Sequence, residues 1–254
     1  MSYTPDLLID GYISQSFSPN SAEDYLHHLL KTDQSGLNQS CQSLLKPDGS
    51  GVLFLIRTIP GNISPTSFTQ DRDGRPLWLL DYNVMRIGTV IPQARWSPEN
   101  VNDHRHHVAE AILQMPIFFM QQNGTLGLSL DDAINGRCQT LRDSRVQAQL
   151  GGKVTTHIRI GWPGYSEFKR QVQIRDETPD KNPITIGKFA HHIGRSMEAF
   201  LRNLTPNQTQ RTEFDRWTIG QGGINPIDIM IIGAIHVSAG SWMPILQLCD
   251  VWIF

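Results

Sequence analysis

Residues 227–237 read Ile-Asp-Ile-Met-Ile-Ile-Gly-Ala-Ile-His-Val, an almost unbroken apolar run rich in isoleucine. A strand with one wet face alternates polar and apolar positions, whereas a run like this fits a strand covered on both faces. It therefore belongs in the middle of a sheet, with a layer of side chains on each side. Any architecture for the chain has to supply those two layers.

Two earlier segments offer partners. Val154, Thr156, Ile158 and Ile160 alternate with Lys153, Thr155, His157 and Arg159, and Phe168, Val172 and Ile174 alternate with Lys169, Gln171, Gln173 and Arg175. That period of two predicts a hairpin with one buried face and one wet, basic face, joined through Trp162-Pro163-Gly164-Tyr165. Thr185 then caps a helix whose Ile186, Phe189, Ala190, Ile193, Met197, Phe200, Leu201 and Leu204 form one stripe. A second helix is expected from Ser97-Pro98-Glu99, with Val101, Val108, Ile112 and Met115 at helical spacing. Val52–Ile56 and Leu77–Leu80 read as further strands, Ile117–Met120 and Leu126–Leu128 as a hairpin around Asn123-Gly124, and Ser129 as a cap. The predicted class is α+β: a mostly antiparallel sheet containing the 153–175 hairpin and the 227–237 strand, covered by amphipathic helices near 98–114 and 185–204. Residues 1–50 read as an irregular N-terminal arm with one short helix after Asn20, and 51–254 as a single core domain.

No stretch approaches the ~18 apolar residues of a membrane helix, and the first residues lack a basic segment followed by an apolar one. Membrane spanning and secretion are not expected. Three widely spaced cysteines, Cys41, Cys138 and Cys249, do not suggest a disulfide framework, so an intracellular location, cytoplasmic or nuclear, is expected. Net charge is −2, yet residues 137–216 hold 14 Lys and Arg against 8 Asp and Glu. An anionic partner for that segment is one consequence to test.

Three groups of words, Trp162-Pro163-Gly164-Tyr165 with the strand from Phe168 to Arg175, Asn182-Pro183-Ile184-Thr185 with Lys188, Phe189 and His192, and His236-Val237-Ser238-Ala239-Gly240-Ser241-Trp242, carry a resemblance. Together the C-terminal segments from Trp162 onward resemble a family of uncharacterised proteins from mushroom-forming fungi. The resemblance implies a cytoplasmic or nuclear fungal protein and an interaction role as readily as catalysis; it implies no activity, cofactor or catalytic residue.

Among chemistry-bearing residues, His104, His106, His107 and Glu110 stand closest in sequence. His107 and Glu110 are three apart and His106 and Glu110 four apart, a spacing that lets one helical turn present imidazole and carboxylate to a divalent metal or to a proton. Adjacent histidines diverge by about 100° around a helix, which weighs against a shared ligand face. His236 lies inside the apolar run two residues from Ser238, without the Gly-x-Ser-x-Gly elbow of a serine hydrolase. Lys153, Arg159, Lys169 and Arg175 on the hairpin, with Lys188, His191 and Arg195 on the long helix, form the expected footprint for RNA or another polyanion. Gly151-Gly152-Lys153 and Gly220-Gln221-Gly222-Gly223 lack the spacing of phosphate-binding loops, and Tyr82 stands where a calcium loop from Asp71 needs its glutamate. No cofactor is predicted. The leading expectation is a non-catalytic interaction protein that binds a protein partner or itself through its apolar C-terminus; a metal-assisted or acid/base enzyme on His104, His107, Glu110 or His236, and a polyanion binder, are the alternatives.

Overall fold

The computed structural model describes residues 10–31, 41–45, 52–56, 68–70, 76–84, 88–204 and 215–249, with backbone alone for 41–45, 52–56, 68–70, 76–79, His104 and Asp215. Along the chain lie α1 (Tyr12–Phe17), α2 (Pro19–Leu30), β1 (Cys41–Leu45), β2 (Val52–Ile56), β3 (Phe68–Gln70), β4 (Pro76–Tyr82), β5 (Thr89–Val90) and α3 (Val101–His104). They are followed by β6 (Ile117–Phe118), β7 (Leu128–Ser129), α4 (Leu130–Ile134), β8 (Thr155–Ile160), β9 (Phe168–Gln173), α5 (Ile186–Arg202), β10 (Ile229–Ser238) and β11 (Ser241–Leu248). The fold is α+β, with a mostly antiparallel mixed sheet and helices packed against it.

The isoleucine-rich run is central, as its composition requires. β10 pairs with β11 on one side and with β6 and β7 on the other, and β11 carries β8 and β5 along its far edge. β9 completes the sheet beyond β8, and the β8–β11 ladder is parallel. Ile229, Ile231, Ala234, Trp242, Leu246 and Leu248 face one core with Phe189, Ala190, Ile193 and Met197 of α5. Ile232, Ile235, Val237, Met243 and Ile245 face a second core with Tyr12, Ile13, Phe17, Tyr25, Leu26 and Leu29 of α1 and α2. A bulge between Ile231 and Gly233 keeps Ile231 and Ala234 on the same face, since the extra residue resets the two-residue alternation. Each large aliphatic side chain so buried contributes roughly 1.5–3 kcal/mol.

Pro244 occupies β11 where a proline has no N–H to give, between the stretches paired with β8 and β5. Buried Gln93 fills that gap: its amide Nε2 donates to the Pro244 carbonyl at 2.7 Å and its Oε1 accepts from Gly161 N at 3.2 Å, while Gln93 N donates to Ser16 O. One residue thus joins β11 and the end of β8 through its side chain and α1 through its backbone. Gln93→Leu is expected to cost about 2 kcal/mol in urea unfolding, because it leaves a buried carbonyl and N–H unpaired; an unchanged midpoint would show that water replaces the amide.

A separate four-stranded antiparallel sheet runs β1-β2-β4-β3. At its β4 end Asp81 reaches the first turn of α1, where Gly11 offers no side-chain cap: Asp81 Oδ2 accepts from Ile13 N at 3.1 Å and Oδ1 from Tyr82 N at 2.8 Å. A carboxyl group 68 residues away in sequence therefore does the work of a local N-cap.

Several expectations are corrected. Within the expected irregular arm, residues 12–30 form two helices buried against β10 and β11, so part of the core lies before residue 51. The helix expected near 98–114 is short. α3 begins at Asn100, whose side chain accepts from Asn102 N, passes into a π-helical turn over Arg105–Ala109, and stops; Val101 and Ile112 are 82% and 67% exposed while Val108 is buried. Tertiary bonds end it, for His107 O accepts from Ala239 N and Gln114 N donates to His236. Val154, expected inward, is exposed, because β8 starts one residue later. The turn expected at Asp71–Gly74, the termination at Trp252-Ile253-Phe254 and most of the expected 32–50 linker lie outside the described residues; Cys41–Leu45 within that linker pairs with β2.

Candidate functional site

Two of the sequence-named residues, His107 through its carbonyl and Lys153, meet at the tip of the β10–β11 hairpin. The turn at Ala239-Gly240 is held from one side by the His107 carbonyl and from the other by β8, where His157 N donates to Gly240 O. Lys153 lies over the same turn, close enough that a Cβ on Gly240 would stand 3.2 Å from its Nζ. Arg175 braces the approach by donating to Gly151 O and Lys153 O. Val101 and Ile112, on the segment that carries His107, and Val154, next to Lys153, are exposed.

His236 lies beneath this tip, not on it. Its ring stacks on Trp242 with centroids 4.7 Å apart and planes 15° apart, and its Nδ1 accepts from Gln114 N at 2.9 Å. An imidazole that accepts there must be neutral with its proton on Nε2. Burial, then the nearby Lys153 charge, push its pKa down to about 3. Ser238 Oγ is turned to Gly240 N at 3.4 Å. His236 and Ser238 are thus each engaged with backbone.

His106 and Glu110 do come together. Glu110 takes Arg105 Nε at 2.7 Å and lies 3.1 Å from His106 Nδ1, so Arg105 first and His106 next hold its carboxyl below the usual range. All three side chains are at least 48% exposed, so the ion pairs are worth little. His107 is exposed, and the side chain of His104 lies outside the described residues. Among the described residues no three His, Cys, Asp or Glu side chains gather as a metal needs.

The basic footprint is largely spoken for. Arg159 donates to Ser241 Oγ, pairs with Glu167 and lies 3.7 Å over the Trp96 ring. Arg195 pairs with Glu198, and His191 Nδ1 meets Ala133 O at 2.9 Å. Lys153, Lys169 and Lys188 are the exposed cations of that set. Neighbouring His192 is half-buried, and burial followed by Lys188, His191 and Arg170 lowers its pKa to about 4.

A second polar group lies against α1 and α2 and was missed from sequence. Asp81 is buried, and desolvation outweighs its backbone hydrogen bonds to push its pKa up to about 8. Tyr25, fully buried, is raised by desolvation and by Asp81, and lowered by Arg95. Arg95, with its side chain 9% exposed, meets Asp24 at 3.9 Å. Tyr25, Asp81 and Arg95 are ordinary residues far apart in sequence, and the only available signal was two charges inside otherwise apolar stretches.

Comparison with family models, with curated proteins and with solved structures finds no match.

Proposed function

We propose that the protein is a non-catalytic intracellular interaction protein whose docking face is the tip of the β10–β11 hairpin. One observation carries the reading: Val101, Ile112 and Val154 are exposed on the chain segments that lead to a turn pinned on both sides by backbone hydrogen bonds. Exposed aliphatic groups on a rigid base suit a protein partner, because their burial is favourable and little order is lost on binding. Lys153 and the Arg105–His106–Glu110 group supply a polar rim. The free, buried Cys138 is consistent with a reducing compartment. The likeness of the C-terminal words to proteins of mushroom-forming fungi belongs to the same proposal. Among the described residues no helix is long and apolar enough to cross a membrane.

The test is paired. Wild-type protein and Ile112→Asp/Val154→Asp are compared by sedimentation and by affinity capture from the native source. A complex or oligomer that is lost in the variant, while its unfolding midpoint is unchanged, supports the reading. A monomer that captures nothing, or a complex that the variant keeps, overturns it.

A further inference from the structure

Four buried polar atoms that find no hydrogen-bond partner among the described residues lie on α1, α2 and residues 83–95: Ser16 Oγ, Tyr25 OH, Asn83 Oδ1 and Arg95 Nε. Such atoms are rare in folded proteins and each calls for a partner. Three of them can donate, and one carries a full positive charge.

The charge is poorly balanced. Asp24, its described ion partner, sits at 3.9 Å and is itself 67% exposed, so water screens the pair. Asp81, the other acid acting on Tyr25, holds its proton at neutral pH and contributes no full charge. Asp24, which Arg95 meets, directly precedes Tyr25 on α2, and the Tyr25 hydroxyl and the Arg95 guanidinium act on each other electrostatically. Ser16 adjoins through its carbonyl, which accepts from Gln93 N two residues before Arg95.

We propose that Arg95 and Tyr25, flanked by Ser16, bind the carboxylate of a small monoanionic ligand. A carboxylate accepts from Arg95 Nε and from the Tyr25 hydroxyl at once, and a guanidinium prefers planar oxyanions that take two N–H groups. One negative charge matches the one buried cation. A phosphate dianion would bring a second negative charge that the one buried cation cannot balance, which is strongly unfavourable. Entry is from the Asp24 side, where Arg95 approaches solvent. This inference does not depend on the hairpin-tip interface.

The full chain is titrated with sodium acetate, with sodium chloride at matched ionic strength and with inorganic phosphate, following the thermal midpoint and saturation transfer to the acetate methyl signal. Expected is a saturable rise with acetate beyond that of chloride, abolished in Arg95→Met and weakened about tenfold in Tyr25→Phe, which loses one hydrogen bond and keeps the ring. If Arg95→Met fails to fold, Arg95→Lys and Tyr25→Phe carry the comparison. No saturable acetate response would mean that the polar atoms meet buried water alone and would overturn the site. So would a response equal in chloride, one unchanged in Tyr25→Phe, or a stronger response to phosphate.

Discussion

Gly194→Val is expected to lower stability by at least about 3 kcal/mol, enough to unfold a marginal domain at moderate temperature. Gly194 lies on the face of α5 that meets α4, and a Cβ there would stand 2.5 Å from Ala133 C, 2.6 Å from Ile134 N and 2.7 Å from Ala133 Cβ. Two of those atoms are backbone, so no rotamer change makes room. Nor is α4 free to retreat. Ser129 caps it, Arg137 ties its Asp131 and Asp132, and His191 Nδ1 holds the Ala133 carbonyl. Helix propensity alone would favour alanine over glycine by about 1 kcal/mol, so even Gly194→Ala separates packing from propensity. The control is Gly152→Ala, where nothing lies within 4 Å of the added carbon and the change should stay within roughly 0.5 kcal/mol. Urea midpoints of the three variants decide it; equal midpoints would mean that α4 does not lie against α5 as described.

Stability should pass through a maximum near pH 6.5 and fall on both sides. His236, at about 3, and His192, at about 4, have folded pKa values below their ordinary 6.5, so the unfolded chain binds protons that the native chain refuses. Their contribution is complete above 6.5 and is lost as pH drops toward 4 and 3, with a slope of up to about 1.4 kcal/mol per pH unit for fully buried His236 and less for half-buried His192. Asp81 works in the opposite sense. Its folded value of about 8 lies above the ordinary 3.8, so its contribution is complete below 3.8 and is lost as pH rises to 8. Between 3.8 and 6.5 the two histidines outweigh it; between 6.5 and 8 it acts alone and removes about 2 kcal/mol. Asp81→Asn keeps an acceptor for Ile13 N and should flatten the alkaline limb while leaving the acid limb in place. Chemical denaturation at several pH values gives the result directly, and an alkaline limb unchanged in Asp81→Asn would assign it elsewhere.

The regular elements were legible where one periodicity ran uninterrupted. α5, the β8–β9 hairpin and β10 each carry a pattern of ten or so positions whose burial leaves one solution, and Thr185 caps α5 through Lys188 N as its hydroxyl suggested. Val101, Val108 and Ile112 carried the same spacing and misled, because the backbone of 105–114 satisfies itself on the β10–β11 tip and leaves the helix after Ala109. α1 left no mark, since its cap comes from Asp81 on another sheet. The parallel match of β8 to β11 is a long-range choice that no local pattern encodes. Of the candidate site, the histidines were visible as letters, but their neighbours were not: sequence could not say that His236 stacks on Trp242 or that Arg95 meets Asp24.

The greasy central pair β10–β11 is finished on its outer edges by strands drawn from distant parts of the chain, β6 and β7 on one side, β5 and β8 on the other. Until those arrive, a freshly collapsed chain shows two unpaired apolar borders to its neighbours. Refolding from denaturant is therefore expected to be slow and sensitive to protein concentration.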